Sequence, residues 1–483
     1  MKHFDILFIH PPIVDDSKFK LRRGAYIFIP MGVFAIADYL EREGFGVKMI
    51  NYPLEKFLNE NWSLNTYLKT IDFKICAIDL HWVHNIYGAL KVAKEVKKEN
   101  PNAKIILGGY SASFYNKELL KTFDSIDAII RGDGEVPFLK YATAIKNNSH
   151  NLENVPNLTY RTNPKHLKKN PITYTAKSLD HLNFTNTELL KNAKEYIERS
   201  RKLMGIPYNL SVGRGCPFNC PLCGGGQRAQ QKISKRENVL LRKPENVLED
   251  IKIIMNKYDI NSFFFGHGSY GSNLDYWEHL FKLIQKEQLD ISADLEIWRL
   301  PFPRNMWECF AKTFNRKHSS ISVSPRTTSR RVQKQIADIC DPTFSFPIHQ
   351  INQLIKNANL VQRELRIWLT LGYPLQKYRD IIRDFYFTFK SLLKYGPSTV
   401  KPITIMNEPY YIFPGSPAYE DPDAFGVTLT QNSLLEIINS FKQSKISFFY
   451  NVINFDTETF PGLMIQNLNK FLFLCAAPMF LTS

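Results

Sequence analysis

The stretch Ser211-Val-Gly-Arg-Gly-Cys-Pro-Phe-Asn-Cys-Pro-Leu-Cys-Gly224 carries three cysteines, separated by three and then by two residues. Proline and glycine flank the cysteines, which is typical of a loop. A short loop lets three thiolates converge on one soft metal centre. A structural zinc site takes four ligands, whereas a cubane iron–sulfur cluster held by three cysteines leaves one iron open to another ligand. A zinc knuckle and three unrelated cysteines are the alternatives.

This loop resembles the signature of the radical S-adenosylmethionine (radical SAM) family, Cys-x3-Cys-x-hydrophobic-Cys, with Leu222 in the hydrophobic position. The resemblance implies that Cys216, Cys220 and Cys223 bind a [4Fe-4S] cluster. Its open iron would take the amino and carboxylate groups of S-adenosylmethionine (SAM), and electron transfer would cleave SAM to a 5′-deoxyadenosyl radical. The resemblance also implies an electron donor such as flavodoxin or ferredoxin.

The composition favours a multidomain globular protein in a reducing compartment. At roughly 150 residues per domain, a chain of 483 residues predicts two to four domains. The four cysteines outside the loop lie singly in apolar surroundings, which favours buried thiols in the cytoplasm over disulfides. These four are Cys76, Cys309, Cys340 and Cys475. The stretch Met1–Pro12 is predicted to be a strand and not a signal peptide, and the run Phe471–Leu474 is too short for a transmembrane segment.

The formal net charge of +16 leaves several partners open. Nucleic acid, a phosphorylated substrate and an anionic membrane surface could each meet such a charge, but solvated surface lysines are the favoured explanation. No basic motif interleaved with aromatic residues is evident, so we expect no stable nucleic-acid complex. The basic clusters are Lys18–Arg23, Lys165–Lys169, Arg199–Lys202 and Arg228–Arg242.

Short apolar runs alternate with helical patterns over residues 1–146. This alternation predicts a parallel, doubly wound α/β sheet of five strands with a flavodoxin-like (Rossmann-type) topology, whose ligands bind beyond the carboxyl ends of the strands. The predicted strands are Phe4–His10, Val47–Asn51, Ile75–Leu80, Lys104–Leu107 and Ala128–Arg131, and the predicted helices are Met31–Glu43, Tyr87–Glu99, Lys117–Thr122 and Val136–Lys146.

The loops at the predicted strand ends resemble those of the cobalamin-binding domain that precedes many radical SAM cores. The resemblance is carried by His10-Pro-Pro, Leu107–Phe114 and Arg131–Pro137. Paired glycines after a strand permit close backbone approach to a bulky ligand, and a following serine can donate a hydrogen bond. The resemblance implies that cobalamin is bound by Gly108, Gly109, Ser111, His81, Gly132 and Glu135.

This chain departs from the Asp-x-His-x-x-Gly motif that supplies a cobalt-ligating histidine elsewhere. The motif should follow the first strand, where this chain has His10-Pro-Pro-Ile-Val-Asp, and Asp79-x-His81 follows the third strand instead. His81 and His84 could approach the corrin, or they could be loop histidines without a metal role. A domain that is retained but binds no cobalamin is a further alternative.

The alternation resumes after Tyr208 and predicts six βα units, a partial TIM-like barrel with its active centre at the carboxyl ends of the strands. The cysteine loop follows the first of these strands, where a radical SAM core places it. The predicted strands are Tyr208–Val212, Ser262–Phe265, Ile291–Ile297, Ser320–Val323, Leu365–Leu371 and Val400–Met406, and the predicted helices are Pro244–Lys257, Leu274–Lys286, Arg304–Thr313, Ser329–Ile339, His349–Asn357 and Tyr378–Tyr395.

Residues at the barrel strand ends are candidates for SAM contacts. By the resemblance, Gly266 is expected to offer backbone contacts to SAM, although this segment lacks the acid of the family's Gly-Gly-Glu. Glu296 is expected to bind the ribose of SAM, Arg299 its carboxylate, and Ser324 lies in a similar Ser-Pro segment. Internal salt bridges are the alternative for the charged residues. Ile412–Tyr419 resembles a Pro-Gly-Ser segment of cobalamin-binding members, or is a proline-fixed turn that closes the barrel.

These features predict a cobalamin-binding domain over 1–146, a connecting segment over 147–205, a radical SAM core over 206–426 and a mainly helical C-terminal cap over 427–483. The resemblance implies a cobalamin-dependent C-methyltransferase that acts on an unactivated carbon of a small-molecule or peptide substrate. A radical SAM enzyme that catalyses a rearrangement, cyclisation or oxidation is the first alternative. A methylthiotransferase would need further N-terminal cysteines, and a corrinoid- or cluster-binding sensor is the non-enzymatic alternative. The sequence identifies neither the substrate nor catalytic residues.

Overall fold

The computed structural model describes residues 2–13, 28–149, 151–202, 207–314, 319–395, 403–407, 410–443 and 453–468. Contacts divide the chain into two compact units, each discontinuous in sequence. The N-terminal unit comprises residues 1–206, 227–240 and 431–449, and the barrel unit comprises residues 207–226, 241–430 and 450–483. The contiguous domain limits derived from the sequence stay a prediction.

The N-terminal unit is built on one seven-stranded sheet with the strand order β2-β1-β3-β4-β5-β6-β7. Its strands are β1 (Lys2–His10), β2 (Val47–Asn51), β3 (Ile71–Asp79), β4 (Lys104–Gly108), β5 (Ala128–Ile130), β6 (Leu158–Asn163) and β7 (His166–Lys169). The first five strands pair in parallel, which confirms the predicted flavodoxin-like topology. The hairpin β6–β7 adds two antiparallel strands to the β5 edge.

Helices follow most strands of this sheet. They are α1 (Met31–Arg42), α2 (Tyr52–Leu58), α3 (Leu64–Leu68), α4 (Ile86–Glu99), α5 (Tyr110–Phe114), α6 (Asn116–Thr122), α7 (Glu135–Lys146), α8 (Ala193–Lys202) and α9 (Gln227–Ser234). Chain direction around the sheet reverses between β1 and β3, and ligands of open α/β sheets bind at such a switch point. The predicted connecting segment packs on the unit, because Leu179, Leu182 and Phe184 are buried with Ala35 of α1.

The barrel unit is built on a parallel six-stranded sheet in which each strand lies beside the next one along the chain, as predicted. Its strands are β8 (Tyr208–Leu210), β11 (Ser262–Phe265), β12 (Ser292–Ile297), β13 (Ser320–Arg326), β14 (Glu364–Leu369) and β15 (Ile403–Asn407), and two short strands, β9 (Gly213–Arg214) and β10 (Leu240–Leu241), follow β8 in the chain. Buried aromatic residues, among them Phe265, Phe281 and Phe314, pack together between the sheet and its helices.

Some barrel helices begin where the sequence provides a first-turn proline or a capping side chain. Pro244 opens α10, and the Ser329 hydroxyl accepts the Val332 N–H at the start of α13. The helices are α10 (Pro244–Tyr258), α11 (Leu274–Lys286), α12 (Arg304–Thr313), α13 (Arg330–Ile339), α14 (Ile348–Val361), α15 (Tyr378–Tyr395) and α16 (Pro417–Glu420).

The C-terminal region is helical in α17 (Leu434–Gln443), which belongs to the N-terminal unit, and over 462–468. It also contains an antiparallel strand pair, β16 (Val427–Leu429) and β17 (Phe455–Thr457), which the sequence did not predict. Cys475, the run Phe471–Leu474 and the basic cluster Lys18–Arg23 lie outside the described residues.

Candidate functional site

The cysteine loop leaves the carboxyl end of β8, the first strand of the barrel sheet. Two backbone hydrogen bonds tie it to the predicted Pro-Gly-Ser segment. The Phe413 N–H donates to the Leu222 carbonyl at 3.1 Å, and the Ala418 N–H donates to the Pro221 carbonyl at 3.0 Å. The segment that follows the last barrel strand therefore fixes the loop that follows the first one.

Each cysteine sulfur of the loop receives one N–H donor. The Phe218 backbone N–H donates to Cys216, and the Gly225 backbone N–H donates to the Cys223 Sγ at 3.4 Å. At Cys220 the donor is a side chain, since Arg299 Nη2 lies 3.4 Å from its Sγ. Hydrogen bonds to ligand sulfurs are one of the means by which proteins tune iron–sulfur clusters.

The thiols stand close enough to resist each other's ionisation. Burial raises the pKa of Cys216, and the neighbouring sulfurs of Cys220 and Cys223 raise it further. Burial and Cys220 together raise the pKa of Cys223 to about 11. Within the described ranges, no three histidine, cysteine, aspartate or glutamate side chains are grouped as ligands of one metal ion. A cubane binds each cysteine through a different iron, so this set of three half-buried cysteines fits a [4Fe-4S] cluster with one open iron.

An aromatic wall stands beside the cysteine loop. Phe218 of the loop packs edge-on against Tyr270 and Trp298, with ring centroids 5.3 and 6.4 Å apart. Tyr270 and Trp298 are parallel, 3° apart in plane, and His267 lies 4.3 Å from Trp298. Burial lowers the pKa of His267 to about 4, so its ring is neutral at neutral pH. The wall is therefore an uncharged surface of closely packed rings.

A cavity of ≈ 330 Å³ opens next to this wall. Phe218 and Tyr270 line it, and polar groups come from Thr343, between α13 and α14, and from Gln350 in the first turn of α14. Arg299 lines the cavity as well, although its residue is only 7% exposed. A pocket with apolar walls and few polar groups is typical of a small-molecule site.

Glycines after β11 are explained by the packing of the chain itself. A side chain at Gly266 would place its Cβ 2.8 Å from the Leu210 carbonyl oxygen, and one at Gly268 would place it 2.2 Å from the Trp298 ring. The Glu296 carboxylate accepts the Trp298 indole N–H at 3.1 Å. Ser324 is half-buried on β13, where the pairing with β14 changes register. Their predicted contacts with SAM stay predictions.

Arg299 and Asp341 form a buried ion pair behind the cysteine loop. The same carboxylate accepts the Asn219 backbone N–H of the loop at 3.1 Å. The guanidinium also lies over the Phe218 ring, 4.1 Å from its centroid. Burial raises the pKa of Asp341, but Arg299 and Thr343 outweigh this effect, and the pKa is lowered overall. The sequence indicated Arg299 but gave no sign of Asp341, which lies 42 residues further along the chain.

In the N-terminal unit, a histidine–aspartate pair lies at the switch point between β1 and β3. His10 Nδ1 is 2.9 Å from Asp79 Oδ2, and both residues are buried. His10 Nε2 is also buried and has no hydrogen-bond partner among the described residues. An aspartate on one ring nitrogen fixes the tautomer and leaves the other nitrogen able to accept or to bind. No sequence motif indicates this pair, because its members end different strands.

The paired glycines after β4 differ in their surroundings. A Cβ at Gly108 would have nothing within 4 Å among the described residues, whereas one at Gly109 would lie 2.8 Å from the Leu80 and His81 backbone. Ser111 is buried, and its hydroxyl donates to the His81 carbonyl at 3.1 Å. The open space at Gly108 therefore fits a bulky ligand, while Gly109 and Ser111 hold the 80–81 loop.

The remaining predicted cobalamin contacts of this unit also pack within it. A Cβ at Gly132 would lie 2.7 Å from the Ser234 Cβ of α9, and Glu135, the first residue of α7, is fully buried. His81 is half-buried, with its ring 4.5 Å from that of Trp82. His84 is buried and packs edge-on against Phe441 of α17. His84 is thus a core residue.

Over the part of the chain that the structure describes, no helix has the length and apolar character needed to cross a bilayer.

Comparisons with known proteins bear on both units. The B12 binding domain family matches residues 21–142. The chain is 27% identical to an uncharacterized methyltransferase of Pyrococcus horikoshii, over 89% of this chain and 86% of that protein. It is 26% identical to the anaerobic magnesium-protoporphyrin IX monomethyl ester cyclase of Rubrivivax gelatinosus, over 53% of this chain and 44% of the cyclase.

The fold is shared with a solved structure of the radical S-adenosylmethionine methyltransferase TsrM from Kitasatospora setae, which has cobalamin and a [4Fe-4S] cluster bound. The TM-score is 0.66 at 14% identity, and the match covers 89% of this chain and 77% of TsrM. The B12 binding domain match falls on the sheet of the N-terminal unit, and the three-cysteine loop follows the first barrel strand. The chain therefore has a B12-binding domain, and it resembles a methyltransferase in sequence and a radical SAM methyltransferase in fold.

Proposed function

We propose that the chain is a cobalamin-dependent C-methyltransferase that methylates an unactivated carbon of a small-molecule or peptide substrate. The observation that carries the proposal is the presence, in one chain, of a half-buried three-thiol loop at a barrel strand end and a B12-binding domain with open space at the end of β4. When bound, the [4Fe-4S] cluster and SAM supply the hydrogen-abstracting radical, and cobalamin carries the methyl group.

The chain's own residues would have three tasks in this reaction. Cys216, Cys220 and Cys223 would hold the cluster, and the donors to their sulfurs would fix its orientation. The stacked wall of Phe218, Tyr270 and Trp298 would exclude water from the open side of the cluster, which protects a reactive radical. Gly108 would admit the corrin to the end of the N-terminal sheet.

The remaining SAM contacts are part of the same proposal. Gly266 would offer its backbone, Glu296 would accept from the ribose hydroxyls, and Ser324 would donate from β13. A one-electron donor such as flavodoxin or ferredoxin would reduce the cluster. We place the enzyme in the cytoplasm, because the described cysteines are all free and two of them, Cys76 and Cys340, are buried as thiols.

The first experiment is to measure iron and corrin in protein purified without oxygen from cobalamin-supplied cells. We expect roughly four irons and roughly one corrin per chain. Cys216→Ala, Cys220→Ala and Cys223→Ala should each lose the cluster and all 5′-deoxyadenosine production. Cys309→Ala, which changes a half-buried cysteine of α12 outside the loop, is the matched control and should keep both. SAM cleavage that survives the loop substitutions would refute the assignment.

A non-methylating radical reaction is the second candidate, because the chain also resembles the Rubrivivax gelatinosus cyclase. The two candidates differ in the mass of the product, which gains one methyl group in the first case and none in the second. A protein that contains iron but no corrin would be consistent with radical chemistry but would lack a methyl carrier, which would favour the second candidate. A reduced protein that does not cleave SAM would favour a sensor.

A further inference from the structure

Arg299 is placed to act on the cysteine loop rather than on a free ligand. It follows β12, and its guanidinium lies over the ring of Phe218, with Phe344 and Phe346 at 5.4 and 5.7 Å on other sides. Its side chain is 8% exposed. Such a cage fixes the position of the positive charge and keeps water from screening it.

Four of the five N–H groups of the guanidinium already donate hydrogen bonds within the protein. Nε donates to Thr343 Oγ1 at 3.2 Å, Nη1 donates to the Trp298 carbonyl at 2.7 Å, and Nη2 donates to both Asp341 and Cys220 Sγ. Of the five N–H groups of an arginine, only one is left for a further acceptor. A bidentate grip on a SAM carboxylate needs two parallel N–H groups, so the structure favours a different task for this residue.

The bond to Cys220 differs in kind from those at the other two sulfurs. Cys216 and Cys223 accept backbone N–H groups two residues further along the loop, which carry no net charge. Cys220 accepts from a cation, and charge-assisted hydrogen bonds are the stronger ones. Hydrogen bonds to the sulfurs and the net charge nearby are among the factors that set the reduction potential of an iron–sulfur cluster.

We propose that Arg299 is a positioning residue that raises the reduction potential of the cluster through its bond to Cys220, and that Asp341 moderates this effect. The inference rests on the proposed function, because it requires a cluster on the loop. Reduction takes one electron from a one-electron donor and adds negative charge to the cluster, which a nearby cation stabilises. Asp341 offsets part of that cation while it holds Asn219 of the loop.

The test is a redox titration of the full-length, anaerobically reconstituted protein, followed by electron paramagnetic resonance of the reduced cluster. Dithionite is the reductant. At the wild-type midpoint potential, Arg299→Gln should lower the ratio of reduced to oxidised cluster about tenfold, a shift of about 59 mV for one electron. Asp341→Asn should shift the ratio in the opposite direction. Arg299→Lys keeps the charge and should fall between Arg299→Gln and the wild type.

Arg299→Gln and Asp341→Asn both remove the same ion pair, so a purely structural effect should shift the reduction potential in the same direction in both variants. Shifts in opposite directions therefore indicate an electrostatic effect. Iron content and circular dichroism are measured first for every variant. If Arg299→Gln loses iron, the inference is tested by the reduction potentials of Asp341→Asn and Arg299→Lys alone. Shifts in the same direction, or none in variants with full iron, would overturn the inference and leave the proposed function intact. A wild-type protein without iron would overturn both.

Discussion

Replacing Gly109 by alanine should destabilise the N-terminal unit, whereas the same change at Gly108 should not. Gly109 has φ 105° and ψ 179°, a combination that is essentially restricted to glycine and costs other residues about 1–3 kcal/mol. Its Cβ would also lie 2.8 Å from backbone atoms of Leu80 and His81. The Ser111 N–H bond to the His81 carbonyl, at 3.0 Å, keeps that loop from moving away.

The cost of Gly109→Ala can be added up from these contacts. Overpacking against backbone adds about 1–3 kcal/mol to the dihedral cost. Alanine lowers the conformational entropy of the unfolded chain, which offsets about 0.4–1 kcal/mol of this cost. We therefore expect a net loss of about 1–6 kcal/mol. For a unit of this size each kcal/mol lowers the melting temperature by about 2–4 °C, so the transition of the N-terminal unit should fall by at least about 2 °C.

Gly108→Ala is the matched control. Its φ lies outside the left-handed region and its Cβ would meet no described atom within 4 Å, so the melting temperature should not fall and could rise by up to about 4 °C. The same open space is where the corrin is proposed to approach, so this variant should retain less corrin after gel filtration.

Thermal unfolding of both full-length variants without added corrin, followed by circular dichroism, tests the stability argument. A Gly109→Ala protein that melts with the wild type would refute the steric reasoning. A Gly108→Ala protein with full corrin would refute the proposed contact.

Two further substitutions test buried charges. Burial lowers the pKa of His84 to about 3, from 6.5 for a free histidine. Between pH 6.5 and about 3, His84 is therefore protonated in the unfolded chain but neutral in the folded one. The free energy of unfolding consequently falls as the pH falls through this range. At pH 4.5 the unfavourable burial of His84 costs about 2–3 kcal/mol of stability. Between pH 7 and 4.5 the melting temperature of His84→Leu should therefore fall less than that of the wild type. An equal fall in both proteins would contradict this prediction. Arg242→Ala should cost about 3–5 kcal/mol in urea unfolding, because burial already raises the pKa of Asp250 and the charge loses its partner. The double variant Arg242→Met/Asp250→Leu should recover most of this stability, and a double variant as unstable as the single one would exclude that explanation.

The sequence determined the elements that depend on local pattern. Hydrophobic periodicity acts within a few residues, and four elements therefore have the predicted limits: Val47–Asn51, Ser262–Phe265, Leu274–Lys286 and Arg304–Thr313. The regular alternation of these elements was enough for the flavodoxin-like sheet and the six-stranded barrel. The three cysteines share one loop of eight residues, so their chemistry was also readable from spacing.

Tertiary structure decided which residues meet. His10 and Asp79 are 69 residues apart, and Arg299 and Cys220 are 79 apart, yet each pair is within hydrogen-bond distance. Parallel strands bring their ends together whatever the length of chain between them, and no local pattern records which side chains then meet. No local pattern shows why position 109 is glycine either: a Cβ there would collide with the Leu80 and His81 backbone. Likewise, residues 227–240 and 431–449 belong to the N-terminal unit although they lie far along the chain.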